Sequence, residues 1–210
     1  MTPRIVLVRH AKIGPAWSGR WVGGGTDAPT DPASLAELGP GLIRAARQNP
    51  PDRVVASPML RARETAALLD LPVEIDPRLA ERDFGRWEGR LTEDCLRDVP
   101  PEFLQGTERW LELPIPGAEA LDAVLARVSA VVDDLRAHPA RVTWCVAHAG
   151  TIRLMIACIR GMTPSAAFHL DVPHGTPIAL DLTASRLDAA LRGVHITSRG
   201  LSGWTDDEPA

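Results

Sequence analysis

Cysteine is scarce in this chain: Cys95, Cys145 and Cys158 are odd in number and share no C-x-x-C spacing. That argues against a disulfide framework and against a zinc site, and it fits a reducing compartment. Cys145 and Cys158 lie in apolar stretches and read as core. No apolar run approaches the ~20 residues of a membrane span. The first apolar segment begins by about Arg4, which leaves no room for a signal peptide, so a cytoplasmic location is expected. There is no basic run, and 23 positive against 27 negative residues leave a formal charge of −4. Nucleic acid is therefore not an expected partner. Lysine is almost missing as well: Lys12 stands against 22 arginines. Neither an internal repeat nor a low-complexity tract is visible.

What is present suits a globular α/β protein. The 210 residues are 45% hydrophobic and 24% charged, enough for one well-packed domain over residues 1–200 and an acidic, frayed tail over 201–210. Four short β-like runs stand out: Arg4 to Val8, Arg53 to Ala56, Val142 to Ala147, and Ile178 to Leu182. A fifth, Val194 to Thr197, reads as an edge strand. Helical patterns lie between them. Asp31 to Arg47 is one, with Gly39-Pro40-Gly41 expected to break or kink it. Met59 to Leu69, Ala118 to Ala137 and Ile152 to Ile159 are the others. Alternating strands and helices predict a three-layer α/β/α sandwich around a mostly parallel sheet. Trp17 to Asp31 and Asp83 to Gly117 lack periodicity and read as binding loops, the first made mobile by Gly23-Gly24-Gly25.

Three of the strands end in polar chemistry. The first delivers Arg9-His10. The second delivers Ser57, with Arg61 one turn into the next helix. The third delivers His148-Ala149-Gly150. Parallel strands bring such ends to one edge, where α/β sheets bind ligands, and the helix starts that follow add N–H donors. Two arginines, two histidines and two helix N-termini fit a compact, doubly charged anion such as a phosphomonoester. A neutral imidazole nitrogen can attack phosphorus. The neighbouring cations disfavour a third positive charge on His10 and neutralise the phosphoryl oxygens as charge develops.

The order and wording of these segments resemble the histidine phosphatase superfamily, the phosphoglycerate-mutase-like proteins. Its R-H-G strand end is matched by Arg9-His10-Ala11. Its S-x-x-x-R-x-x-x-T-A stretch is matched by Ser57 to Ala66, and its L-x-E…F-G-x-W-E-G segment by Leu79 to Gly89. Its P-G-G-E-S turn is matched by Pro116-Gly117-Ala118-Glu119-Ala120, and its H-G-G-x-I-R end by His148 to Arg153. The resemblance runs from residue 5 to about 182. It implies His10 as the nucleophile that becomes phosphohistidine, with Arg9, Arg61 and His148 as the phosphate-binding set. It implies Glu81 as proton donor to the leaving group and then as base for the hydrolytic water. Glu88 is the rival to Glu81 and reads as a brace for the Trp87 loop. The resemblance implies no cofactor and no metal, and no ligand cluster for a metal is visible.

Several positions leave the family pattern. Ala11 and Ala149 replace glycines, which matters only where a positive φ is needed. Lys12 and Ile13 stand where an acid and Thr or Ser are common. Lys12, Arg20, Trp21 and His174 are candidates for the substrate rim, and Glu119 is expected to start the long helix. The expected activity is metal-independent hydrolysis of a small phosphorylated metabolite. The R-H-A start, F-G-x-W-E-G loop and V-P-x-G-x-P turn are similar to those of α-ribazole-phosphate phosphatases. A phosphoglycerate-type mutase is the alternative within the family. A non-catalytic phospho-ligand or protein-binding module is the alternative outside enzymes. A homodimer is compatible with either.

Overall fold

The computed structural model describes residues 3–100, 103 and 113–182. Five strands form its sheet: β1 (Arg4–Arg9), β2 (Arg53–Ala56), β3 (Val73–Ile75), β4 (Val142–Ala147) and β5 (Ile178–Asp181). Their order is β3-β2-β4-β1-β5. β1 pairs parallel with β4, β4 with β2 and β2 with β3, while β5 runs antiparallel beside β1. The expected mostly parallel sheet is therefore present. The run at Val194 and the tail over 201–210 lie outside the described residues.

Side-chain alternation sorts each strand onto two cores. Ile5, Leu7, Val55, Cys145 and Ala147 face one way, onto α4 (Leu121–Ala137), α5 (Ala149–Arg160) and α6 (Pro164–Phe168). Val6, Val8, Val54, Ala56, Trp144 and Val146 face the other way, onto α1 (Pro32–Gln48) and α2 (Leu60–Ala67). β1, β2 and β4 are thus buried on both faces, which is why they read as continuous apolar runs. Burial pushes the Cys145 thiol up to about 12, as suits a core cysteine.

α1 is not broken at Pro40. It is one continuous helix with Pro40 inside it. Asp31 caps its start by accepting from Ala33 N–H, with Pro32 at the first turn. Continuity past Pro40 follows from packing on both sides of it. Gly39 lies against Leu68, and Leu42 is 1% exposed among the strands. Tertiary burial here outweighs the lost backbone hydrogen bond. Three short elements had no periodicity to show them: β3, α3 (Thr92–Arg97) and α6. α6 did carry a local sign, since Thr163 accepts from Ala166 N–H and Pro164 follows it.

Leu42 is the residue of α1 sunk deepest against the sheet. Leu42→Ala is expected to cost about 2–5 kcal/mol, read as a lowered midpoint in chemical denaturation with the slope unchanged.

Candidate active site

The ladder runs one residue past each strand and so fixes the reactive ends. His10 N–H donates to Ala147 O at 3.0 Å and Ser57 N–H to Val146 O at 2.9 Å. Because β2, β4 and β1 are neighbours, Ser57, His148 and His10 emerge side by side. The His10 and His148 rings lie 5.0 Å apart between centroids. His10, Ser57, Arg61 and His148 are all at most 2% exposed.

Each imidazole has a defined partner. His10 Nδ1 is 2.7 Å from Ala11 O. A carbonyl can only accept, so Nδ1 carries the proton and Nε2 keeps its lone pair. His148 Nε2 is 2.7 Å from Ser57 Oγ, and its Nδ1 is buried with no hydrogen-bond partner. Met59 N–H donates to Ser57 Oγ at 3.3 Å, which leaves the serine proton available to Nε2. Burial holds the His148 pKa well below the ordinary 6.5, and the charges of Arg61, His10, Arg9 and Arg127 push the same way. His148 is therefore neutral at physiological pH.

Arg61 enters from the first turn of α2. Its Nη1 donates to Thr26 O and its Nη2 to Gly23 O, each at 3.0 Å. It is a buried cation held by backbone carbonyls, not a surface ion pair. Arg9 Nη1 donates to Val172 O at 3.1 Å. Arg153 stands close enough for Arg9 to add to the burial that lowers its pKa to about 10. Glu81 is 8% exposed. Its Oε2 accepts from Gly150 N–H at 2.9 Å and its Oε1 from Arg82 N–H at 3.0 Å. The carboxyl group thus seats on the first turn of α5, directly beyond His148. Gly150 has to be glycine for this, since a Cβ there would lie 2.6 Å from Glu81 Oε1.

Several expectations are corrected. Gly23-Gly24-Gly25 is tied down rather than mobile. Gly23 and Gly25 N–H donate to the Glu88 carboxylate, and Gly24 N–H to Arg82 O. A Cβ on Gly23 would meet Arg82 O at 2.2 Å and one on Gly24 would meet Glu81 O at 2.5 Å. These glycines permit close backbone approach. Glu88 is the brace, accepting also from Phe84 N–H. Trp21 does not line the rim: it is 3% exposed and packs on Phe84 and Trp87 at centroid distances of 4.9 and 5.0 Å. Burying the indole gains more than leaving it in a polar entrance. Arg20 braces the same loop through Gly89 O at 2.8 Å. The helix starts are less open than expected. Leu60 N–H on α2 donates to Asp27, and Gly150 N–H on α5 is taken by Glu81. Glu119 lies before α4, which starts at Leu121. Ala11 and Ala149 strain nothing, because Asp70 is the one non-glycine residue with positive φ among those described.

Of the remaining rim candidates, Lys12 is exposed and His174 reaches the site. His174 Nδ1–H donates to His10 O at 2.6 Å, and its ring lies 5.4 Å from that of His10. Thr65 was missed. Its hydroxyl donates to Arg61 O at 2.7 Å and accepts from Ala11 N–H at 2.9 Å, tying α2 to the loop after His10. Its place in the Ser57-to-Ala66 stretch was the available signal.

Residues 5–193 match the model of the histidine phosphatase superfamily, branch 1. The chain belongs to that superfamily, and it is a phosphatase. It is 30% identical over 188 residues to the adenosylcobalamin/alpha-ribazole phosphatase of Salmonella typhimurium, covering 85% of this chain and 90% of that one. It is 29% identical over 174 residues to phosphoserine phosphatase 1 of Hydrogenobacter thermophilus, covering 76% and 77%. The crystal structure of the alpha-ribazole phosphatase from Shigella flexneri superimposes with a TM-score of 0.74 at 27% identity, over 85% of this chain and 90% of that one. No described helix is long and apolar enough to cross a membrane.

The neutral state of His148 has a consequence for this histidine phosphatase. Below 6.5 an unfolded chain protonates this histidine while the native one does not. The unfolded state then binds more protons, so stability falls as the pH drops from 6.5 toward the depressed native value. The thermal midpoint is expected to fall between about pH 7 and pH 5. His148→Gln, which cannot take the proton, should reduce that fall. Equal slopes in both proteins would assign it to other groups.

Proposed function

We propose that the chain hydrolyses a small phosphomonoester through a phosphohistidine on His10, without a metal. The observation that carries this reading is the Nδ1–H bond of His10 to Ala11 O at 2.7 Å. It leaves Nε2 of a buried ring with its lone pair, at the strand end that also carries Arg9.

In the first step Nε2 attacks phosphorus, the N–P bond forms and the ester P–O bond breaks. The leaving alkoxide takes a proton from Glu81, which must enter the step as the acid. Arg9 and Arg61 stabilise the charge on the equatorial oxygens, each contact contributing roughly 1.5–3 kcal/mol. With Ser57 donating to Nε2, His148 keeps its proton on Nδ1 throughout and donates a hydrogen bond from it to a phosphoryl oxygen. In the second step Glu81 takes a proton from water, the hydroxide attacks phosphorus and the N–P bond breaks. Inorganic phosphate leaves and both residues return to their starting states. His10 Nδ1–H keeps its bond to Ala11 O throughout, so the ring does not rotate away.

The relatives' names favour a phosphorylated metabolite of the α-ribazole 5′-phosphate type as the first substrate to assay. Expected are hydrolysis of p-nitrophenyl phosphate in EDTA and an acid-labile, base-stable phosphoenzyme in rapid quench. His10→Ala should lower kcat by on the order of 10³-fold or more and abolish the phosphoenzyme. Full activity in His10→Ala, or activity that requires added metal, would overturn the mechanism. Phosphoryl transfer to a second hydroxyl of 3-phosphoglycerate, dependent on 2,3-bisphosphoglycerate, would make the chain a mutase instead.

A further inference from the structure

The Pro116–Ala120 turn and the polar side of α4 have no part in the chemistry above, yet they converge on the segment that carries Glu81. Arg127 of α4 leans back toward the helix start, as helical side chains do. Its Nε and Nη2 meet the two carboxylate oxygens of Glu119 at 2.7 and 2.9 Å, a fork-on-fork pair. Its Nη1 donates to Arg78 O at 2.6 Å and to Ala80 O at 2.8 Å. Those carbonyls flank Leu79, which is fully buried. Ala80 O also accepts from Thr151 Oγ1 on α5 at 2.8 Å. The peptide unit leading into Glu81 is therefore gripped from both helices.

Glu119 grips the other side. Its carbonyl accepts from Arg82 Nε at 2.8 Å, and its N–H donates to Asp83 O at 2.9 Å. Its turn is locked to the next one, since Arg86 N–H donates to Pro116 O at 3.0 Å. Gly85, at φ 52°, has room for no Cβ, which would lie 2.4 Å from Ala118 N. The pair is mostly shielded, with side chains 17% and 24% exposed. One planar guanidinium binds a carboxylate and two carbonyls at once, which an ammonium on a flexible stem does not reproduce.

We propose that the Arg127–Glu119 pair is the positioning device for the general acid. Its bonds reach neither His10 nor the Glu81 carboxyl group. It holds the backbone on both sides of Glu81, so that the carboxyl meets the leaving oxygen rather than drifting along α5. This rests on the reading of Glu81 as proton donor. A displacement of about 1 Å in such a group can cost on the order of 10²-fold.

The leaving group separates positioning from general stability. A p-nitrophenolate departs with little help from an acid, whereas the alkoxide of glycerol 2-phosphate must be protonated. In Arg127→Lys, the rapid-quench rate of phosphoenzyme formation, which precedes the second role of Glu81 as base, is expected to stay within about threefold for p-nitrophenyl phosphate, while for glycerol 2-phosphate it drops about tenfold or more with KM little changed. Glu81→Gln should show the same split, larger. The double variant should show no split beyond that of Glu81→Gln alone, because both changes remove one function. If Arg127→Lys loses its folded circular-dichroism signature, Glu119→Gln, which keeps the shape and weakens the pair, carries the same comparison. An equal fall on both substrates, a change in KM alone, or additive effects in the double variant would overturn the proposal. A split in Glu81→Gln without one in Arg127→Lys or Glu119→Gln would overturn the positioning role and leave the acid in place. No split in Glu81→Gln would overturn both.

Discussion

The parallel ladder joining β2, β4 and β1 sets where His10, Ser57 and His148 leave the sheet. Its register sets Arg9 beside Ala147 and Ala56 beside Val146. His10 and His148 then leave the sheet at the same level, with Ser57 one residue behind them, opposite Ala147. A slip of one residue would turn each of these side chains to the opposite face. The hydrophobic alternation that buries Ile5 and Leu7 on one side and Val6 and Val8 on the other resists that slip. The core that stabilises the fold is thus the same constraint that aligns two imidazoles 5.0 Å apart.

Around that edge the molecule keeps buried cations and buried bases in balance. Arg61 is desolvated, but backbone carbonyls of the glycine loop take its N–H groups, so it costs less than a bare buried charge. The loop reaches those positions only because Gly23 and Gly24 let main chain lie on main chain. Burial, joined by neighbouring positive charge, keeps His148 neutral, and hydrogen bonding to a carbonyl keeps one proton on His10. For the proposed reaction this arrangement is set before a phosphate arrives, which is the state that lowers reorganisation.

Much of this was legible in the chain. Four of the five strands and the four longer helices follow from periodicity, and Arg9, His10, Ser57, Arg61 and His148 follow from their place after strands. Other features were misread for physical reasons that can be named. Gly23-Gly24-Gly25 looked mobile because glycine's freedom is local, while its use here is close contact with residues 81–83. Pro40 looked like a helix stop because the lost hydrogen bond is local, while the burial of Leu42 that outweighs it is not. Trp21 looked available to substrate, but its indole closes a cluster with Phe84 and Trp87. β3 was missed because three residues show no period.

By itself the sequence determined the kinds of reactive group and the strand each one follows, because side-chain period and chain direction are local properties. The tertiary structure alone decided how they are held. Glu81 meets Gly150 across 69 residues, Glu88 meets Gly23 across 65, and Arg127 meets Ala80 across 47. Those separations carry no periodic signal. Packing of α4 and α5 against one face of the sheet brings Arg127 to Ala80 and Gly150 to Glu81, and the Trp21–Phe84–Trp87 cluster brings Gly23 to Glu88; that long-range packing is what puts each partner within hydrogen-bond reach.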